Sequence, residues 1–329
     1  MAKAKRLPSG NYRTRVHIGN GVYKSFTAPT KAESEYKASN YLLNHSPTTV
    51  EKLRINELVK RFIDERERYI SPSTVRTYLW IYKKHIAHLT TPVDKWDSRI
   101  HQEWINKMDL APKTIKNING LLVSALKYYG VNVPKVSLPQ KEFKQISIPT
   151  TAEVKQIIDY FQNREEIEMV KAVMLSSIGT LRRGEICGLE KDDIKDNTIF
   201  VHQSQTINKD EQFVTKSPKT YSSNRLIELP DFLIDLISKG DKPVNLTVLQ
   251  ITTKFQHCMK QLGMDYTFHS LRHYSASILH AQNIPTQYIM ERGGWKTEDT
   301  LNRIYRNSLD DYKKKFNDQT NDYFKKSLM

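Results

Sequence analysis

Cysteine is nearly absent from this chain: Cys187 and Cys258 are the two among 329 residues. They form no disulfide framework and no metal-ligand spacing, and Cys187 lies in an apolar helical pattern that suits a small core residue. Long apolar runs are missing too. No stretch reaches the roughly eighteen residues of a membrane span, and the charged start Met1-Ala2-Lys3-Ala4-Lys5-Arg6 leads into no hydrophobic signal core. The expectation is a cytoplasmic protein with no membrane partner. Glycine is scarce, at 12 residues, and no phosphate-cradling loop of the P-loop or dinucleotide type occurs, so nothing points to ATP or NAD. Acidic residues are in deficit: 36 Asp and Glu face 51 Lys and Arg, giving a net charge of +15 and a pI near 9.5. Such a field attracts polyanions and makes binding salt-dependent. Alone, it would equally suit a ribosomal or membrane-surface protein.

What is present concentrates in the last quarter. His269, Arg272, His273, Trp295 and Tyr305 follow one another there, with Arg182 and Lys219 upstream. Attack on a phosphodiester asks a protein mainly to position the reacting groups and to neutralise charge on phosphate oxygens, so paired arginines, a proton donor and a nucleophile can suffice. A helix over Phe268-His269-Ser270-Leu271-Arg272-His273 puts His269, Arg272 and His273 on one face, at spacings of three and four. Arg272 could then give a phosphate bidentate hydrogen bonds beside an imidazole able to exchange a proton. Taken alone the pattern is weak, because a His or Arg on a half-buried helix is more often a satisfied structural residue.

Three further segments occur in order. They are Gly179-Thr180-Leu181-Arg182-Arg183-Gly184-Glu185-Ile186-Cys187-Gly188-Leu189, then Ser217-Pro218-Lys219-Thr220-Tyr221-Ser222-Ser223-Asn224-Arg225-Leu226-Ile227, and Gly293-Gly294-Trp295 with Tyr305 ten positions on. Together with His-Ser-Leu-Arg-His they closely resemble the tyrosine recombinase, or phage integrase, family over roughly Thr150 to the C-terminus. The match is specific because four ordered motifs must coincide.

The resemblance implies roles residue by residue. Arg182 and Arg272 would clamp the non-bridging oxygens of the scissile phosphate, and Lys219 would protonate the departing 5′ oxygen. His269 would assist proton transfer at the nucleophile. Tyr305 would attack phosphorus, forming a 3′-phosphotyrosyl bond. Trp295 stands where histidine is commoner; an indole donates one hydrogen bond but exchanges no proton at neutral pH, so acid/base work falls on Lys219 and His269. Gly179-Thr180 departs from the commoner Thr-Gly order, and a local backbone adjustment is expected there. Arg183 reads as a solvated or DNA-facing charge, Glu185 as an orienter of an arginine or of the backbone, and His273 as a buried, hydrogen-bonded support. Tyr312 and Tyr323 are the nearest rival nucleophiles, neither at the right distance from Trp295. No cofactor and no metal ion is expected.

The fold class expected is multidomain and mainly α: a small N-terminal β-sheet plus helix domain (1–45), a helical, SAM-like core-binding domain (54–133), a linker (134–149) and a mixed α+β catalytic domain with a C-terminal tail (150–329). The first block holds five Lys and three Arg against two Glu. Its Asn11–Ile18 run alternates like a half-buried strand; Gly19-Asn20-Gly21 would turn it into Val22–Thr27, and Thr30 with Glu33 would open a helix to about Asn44. The block resembles the arm-binding domain of phage and transposon integrases, with Arg13, Arg15 and Lys24 presented to a major groove; a merely solvated basic face is the plainer view. In the second block, Ser71-Pro72 starts a helix with the stripe Val75, Leu79, Tyr82, Ile86 and Leu89, leaving Arg76, Lys83 and Lys84 off it. Another helix runs from Ala111-Pro112 to Gly130, with Lys113 and Lys116 among its charged positions. These cations are better suited to phosphates than to bases, or else only solubilise a bundle. Pro134, Pro139 and Pro149 mark the linker, a candidate flexible strap. Asn197–Val201 and Arg225–Leu229 are the strands expected to flank Lys219, and the tail with Leu309, Tyr312, Phe316, Tyr323 and Phe324 would dock on a neighbouring protomer or on its own domain.

By this resemblance the chain is a site-specific recombinase, the integrase of a phage or integrative element, acting on double-stranded DNA at core and arm-type sites. A homotetramer on DNA, and a host bending protein or an excisionase as further partners, are likewise implied. Two alternatives compete. A type IB topoisomerase shares much of the site, but the N-terminal hairpin argues against it. An inactive DNA-binding regulator on the same scaffold would need a missing catalytic residue, and none is missing.

Overall fold

Alternating side chains build the first sheet. In a computed structural model, which describes residues 3–17, 23–44, 53–140, 146–216, 224–305, 317–318, 320–321 and 324–326, strands β1 (Lys5–Arg6), β2 (Tyr12–His17) and β3 (Tyr23–Ala28) pair antiparallel in that order. Thr14 and Val16 are buried, opposite Phe26 and Lys24, under helix α1 (Lys31–Asn44). The fully buried Ser34 of α1 shares a 2.8 Å hydrogen bond with Thr14 Oγ1 and donates to the Phe26 carbonyl at 2.9 Å, so the helix closes on the sheet with its hydroxyls satisfied. β1 extends the expected hairpin; the turn at Gly19-Asn20-Gly21 lies outside the described residues. The chain forms two units, Met1–Glu142 and Phe143–Met329, whose boundary falls inside the stretch 134–149.

The first unit continues with α2 (Ile55–Arg66), α3 (Pro72–Ile81), α4 (Ser98–Asn106) and α5 (Pro112–Tyr128) around Leu58, Ile63, Ile118, Leu122 and Leu126. Ser71 caps α3 ahead of Pro72, as a proline in the first turn requires. The even stripe from Val75 to Leu89 is corrected by a π-helical turn at Tyr82–Ile86, which shifts the helix face so that Ile81 joins Val75, Ile86 and Leu89 in the core. The proline-marked linker is packed at both ends. Val136 and Leu138 sit on the helical cluster, and Ile146 and Ile148 pack on a small cluster in the second unit.

The second unit contains α6 (Thr151–Gln162), α7 (Ile167–Ser177), α8 (Arg183–Gly188), β4 (Ile194–Lys195), β5 (Thr198–Val201), β6 (Ser204–Ile207), β7 (Phe213–Lys216) and β8 (Arg225–Glu228). It ends with α9 (Asp231–Ile237), α10 (Val248–Leu262), α11 (Phe268–Ala281), α12 (Thr286–Gly293) and α13 (Glu298–Tyr305). Thr150 and Glu153 form a reciprocal capping box for α6 at 2.7 and 3.2 Å. The sheet runs β4-β5-β8, and β6 with β7 makes a separate hairpin that pattern reading had not separated from loop. Ile199 and Ile227 join Phe161, Val173, Leu175, Phe255 and Leu271 in the core. Lys219, between β7 and β8, lies outside the described residues, as do Leu309, Tyr312, Phe316 and Tyr323 of the tail. Among the described residues no helix is long and apolar enough to cross a membrane.

Candidate active site

Helix α11 begins after Thr267, so His269 falls in its first turn and His273 one turn later. Their rings meet edge to face, with centroids 4.5 Å apart. Arg272, between them, is fully buried. It donates from Nη1 to the Thr180 carbonyl and from Nη2 to the Gly293 carbonyl, and its guanidinium lies over the Trp295 ring, 3.9 Å from the centroid. Burial first, then Arg182, weighs against its charged form. The expected hydrogen-bonded role of His273 is corrected in one respect: its Nδ1 is buried without a hydrogen-bond partner, and its packing partner is the His269 ring.

Thr180 carries the backbone adjustment expected at Gly179-Thr180. It adopts a left-handed φ of +59°, strained for a β-branched residue. Its hydroxyl donates to the Arg292 carbonyl at 3.0 Å while its own carbonyl receives Arg272. Gly179 is required for space, because a Cβ there would lie 2.8 Å from the Leu175 carbonyl oxygen and 2.7 Å from the Leu181 side chain.

Arg182 precedes α8, and Glu185 one turn on folds back to it. The carboxylate accepts from the Arg182 backbone N–H at 2.9 Å and from Arg182 Nη1 at 2.6 Å, while Arg182 Nη2 donates to the Gly294 carbonyl at 2.9 Å. Glu185 is buried, and burial alone would raise its pKa. Arg225, then Arg182 and Arg272, reverse that and pull the carboxyl down to about 2. It is therefore an anion at neutral pH, an orienter of arginines and not a base. Gly294 turns back with φ of +62°, and a ring atom of Trp295 occupies the space 1.9 Å from where a Cβ on Gly293 would stand. Trp295 packs with Ala276, Ile289 and Leu301, so α13, with Tyr305 at its last position, is seated on α11. Arg183 donates to Thr252 Oγ1.

A cleft of about 740 Å³ opens beside these groups, lined by Arg182, Arg183, Thr252, Gln256, Lys260 and His269 among others. His269 stands at its surface, yet its pKa is pushed down to about 4, by desolvation first and by Arg272 and Arg182 next. A neutral imidazole beside cationic guanidiniums can accept a proton near an anionic substrate.

The second unit thus assembles Arg182, Glu185, His269, Arg272, His273 and Trp295 around one turn, with Tyr305 on the helix that follows it. Sequence reading missed Arg225, which is buried and bonded to Glu185. The signal was available: Arg225 and Ile227 are the inward positions of β8, and a charge at a core position of a strand needs a partner. Among the expected DNA-facing cations, Arg15, Arg76, Lys83, Lys84, Lys113 and Lys116 are exposed and Arg13 is half-buried. Lys24 is exposed as well, but it sits on the other side of the sheet. It pairs with Val16, whereas Arg13 and Arg15 pair with Thr27 and Ser25, so it belongs to the face covered by α1, its Nζ 4.2 Å from the Tyr41 ring centroid.

A cleft bordered by the carboxylate-oriented Arg182 and a neutral histidine, with Arg272 held by carbonyls behind it, defines a phosphoryl-transfer class of site on a mixed α+β unit. Residues 149–311 match the phage integrase family, and the chain carries a domain of that family of tyrosine recombinases. It is 23% identical to a tyrosine recombinase XerC-like protein of Caldanaerobacter subterraneus subsp. tengcongensis, covering 95% of this chain and 96% of that protein. It is 26% identical to transposase A from transposon Tn554 of Staphylococcus aureus, covering 61% of this chain and 60% of the transposase. The fold resembles that of the Tn1549 transposon integrase in complex with a circular intermediate DNA (TM-score 0.68, 15% identity, 81% of this chain and 99% of the other). It also resembles a lambda integrase tetramer bound to a Holliday junction (TM-score 0.60, 17% identity, 93% and 95% covered).

Proposed function

We propose that this chain is the site-specific recombinase of a mobile element, cutting and rejoining DNA during integration and excision. The Tyr305 hydroxyl attacks the scissile phosphorus, the bond from phosphorus to the 5′ oxygen breaks, and a 3′-phosphotyrosyl bond forms. A 5′ hydroxyl from the exchanging strand then attacks phosphorus and releases Tyr305, so the number of phosphodiester bonds is conserved and no energy source is consumed. Arg182 and Arg272 neutralise the non-bridging oxygens, Lys219 protonates the departing 5′ oxygen, and His269 handles the proton at the tyrosine. Trp295 supports Arg272 from behind. Exchange of two strand pairs passes through a four-way junction held by a tetramer, in the cytoplasm of a bacterial host.

The observation that carries this reading is the joining of Arg182 and Arg272 to adjacent carbonyls of one turn, Gly294 and Gly293, which sets two guanidiniums side by side ahead of the helix ending at Tyr305. The sheet face with Lys5, Arg13 and Arg15 supports arm-type binding, and with it an integrase over a topoisomerase. Incubation with nicked DNA carrying the attachment site tests the reading. Wild-type protein should form an SDS-stable adduct and Tyr305→Phe should not, at unchanged DNA affinity; an adduct surviving in that variant would remove Tyr305 as nucleophile.

A further inference from the structure

Arg225 occupies an inward position of β8, next to the stretch that carries Lys219. Its Nε donates to the Arg292 carbonyl at 2.7 Å, and its two terminal nitrogens reach the Glu185 carboxylate at 2.8 and 3.3 Å. Glu185 in turn holds Arg182, and Arg182 reaches the Gly294 carbonyl. Arg225 therefore touches the same turn twice, once through the Arg292 carbonyl and once through the chain Glu185, Arg182, Gly294. There is little slack: a Cβ on Gly294 would lie 3.2 Å from Arg225 Nη1 and 3.6 Å from Arg182 Nη1.

Resting on the recombinase reading above, the geometry points to Arg225 as a positioning residue for the phosphate clamp, acting through Glu185 on Arg182 and through the Arg292 carbonyl on the Gly293-Gly294-Trp295 turn. The charge balance gives the reason. With Arg225 in place the buried Glu185 is shared by two guanidiniums, and Arg182 keeps positive charge for the substrate. Without it, Glu185 is left to Arg182 alone and cancels most of the charge that the clamp requires. Arg225 is also the first residue of β8, so the start of that strand is tied to the arginine network. A residue serving only the core would show the first contact without the second.

The test compares two substrates on the full chain, using suicide DNA with either a phosphodiester or a methylphosphonate at the cleavage position. The methyl group replaces one non-bridging oxygen, removes the negative charge of the phosphate and lowers the demand for a cationic clamp. Arg225→Gln should slow adduct formation on the phosphodiester by roughly tenfold to hundredfold, the scale of partners that orient a ligand from behind. On the methylphosphonate its gap to wild type should shrink to a few-fold. Arg225→Lys, which keeps the charge but loses the fork, should fall between, and it decides the question by the same comparison if Arg225→Gln does not fold. Equal deficits on both substrates in the folded variant would reduce Arg225 to a structural residue. A wild-type chain that forms no adduct on either substrate would instead overturn the recombinase reading, and this role with it.

Discussion

The guanidinium carbon of Arg272 lies over Trp295, 3.9 Å from the ring centroid, and the indole meets the cation through its π-face. Where a histidine would offer an exchangeable proton, this chain offers a surface for a charge to rest on. Trp295→Phe keeps such a face and should keep adduct formation within a few-fold of wild type. Trp295→Ala should lose about 1–2 kcal/mol of stability, the range for a partly desolvated cation–π contact, measured by urea denaturation, together with most of the cleavage rate. Equal behaviour of the two variants would show that the ring face does not support Arg272.

His269 and His273 of α11 should be neutral at physiological pH. His269 is pushed down to about 4 and His273 to about 3, in each case by burial first; His269 and then Arg272 act further on His273. Because the folded values lie below the ordinary 6.5, the unfolded chain takes up these protons first on acidification. Their contribution to stability is complete above about pH 6.5 and declines as pH falls toward 4. Glu185 adds a second window, since its stabilisation is present above 4.5 and lost as pH falls toward about 2. NMR titration should show no midpoint for either ring between pH 8 and pH 5; a midpoint near 6.5 for His269 would remove the desolvated environment described for it.

The order Gly179-Thr180 should resist reversal. Gly179→Thr with Thr180→Gly restores the commoner family order and relieves the left-handed threonine. It also places a Cβ against the Leu175 carbonyl and removes the hydroxyl that holds Arg292. Overpacking of this kind costs about 1–3 kcal/mol, so the double variant should melt below wild type. A higher melting temperature would mean that strain at Thr180 outweighs the closed space at Gly179.

On the N-terminal sheet, Arg15 and Lys24 should separate in salt titrations of DNA binding. Arg15 faces outward, so Arg15→Ala should reduce the slope of log affinity against log salt by about 0.9, the value for one phosphate contact. Lys24→Ala should leave the slope unchanged and act on stability, through its lost contact with Tyr41. The reverse outcome would place the DNA on the helix-covered face.

Local signals made much of this legible. Ser71-Pro72 and Thr150 with Glu153 announce helix starts because a cap is settled within four residues, and His269, Arg272 and His273 share a face by spacing alone. The side taken by Lys24 follows from alternation with the inward Phe26 two positions on, a signal that its charge obscures. The β6–β7 hairpin escaped for a similar reason. Its turn is organised by the Asn208 side chain, which accepts from the Asp210 and Gln212 backbones at 2.9 Å each, while strands as polar as Ser204–Ile207 leave no alternation to read. Arg225 depends on a carboxylate forty positions earlier, a partner that folding alone brings within reach.

Arg272 carries one last consequence. Its hydrogen-bond acceptors are carbonyl oxygens, and it is sealed from water, so the folded chain holds a cation whose compensation by dipoles is only partial. If Arg272 clamps the phosphate as proposed, the anion supplies the charge that these dipoles leave unmet, and grip on DNA and resistance to unfolding should rise and fall together.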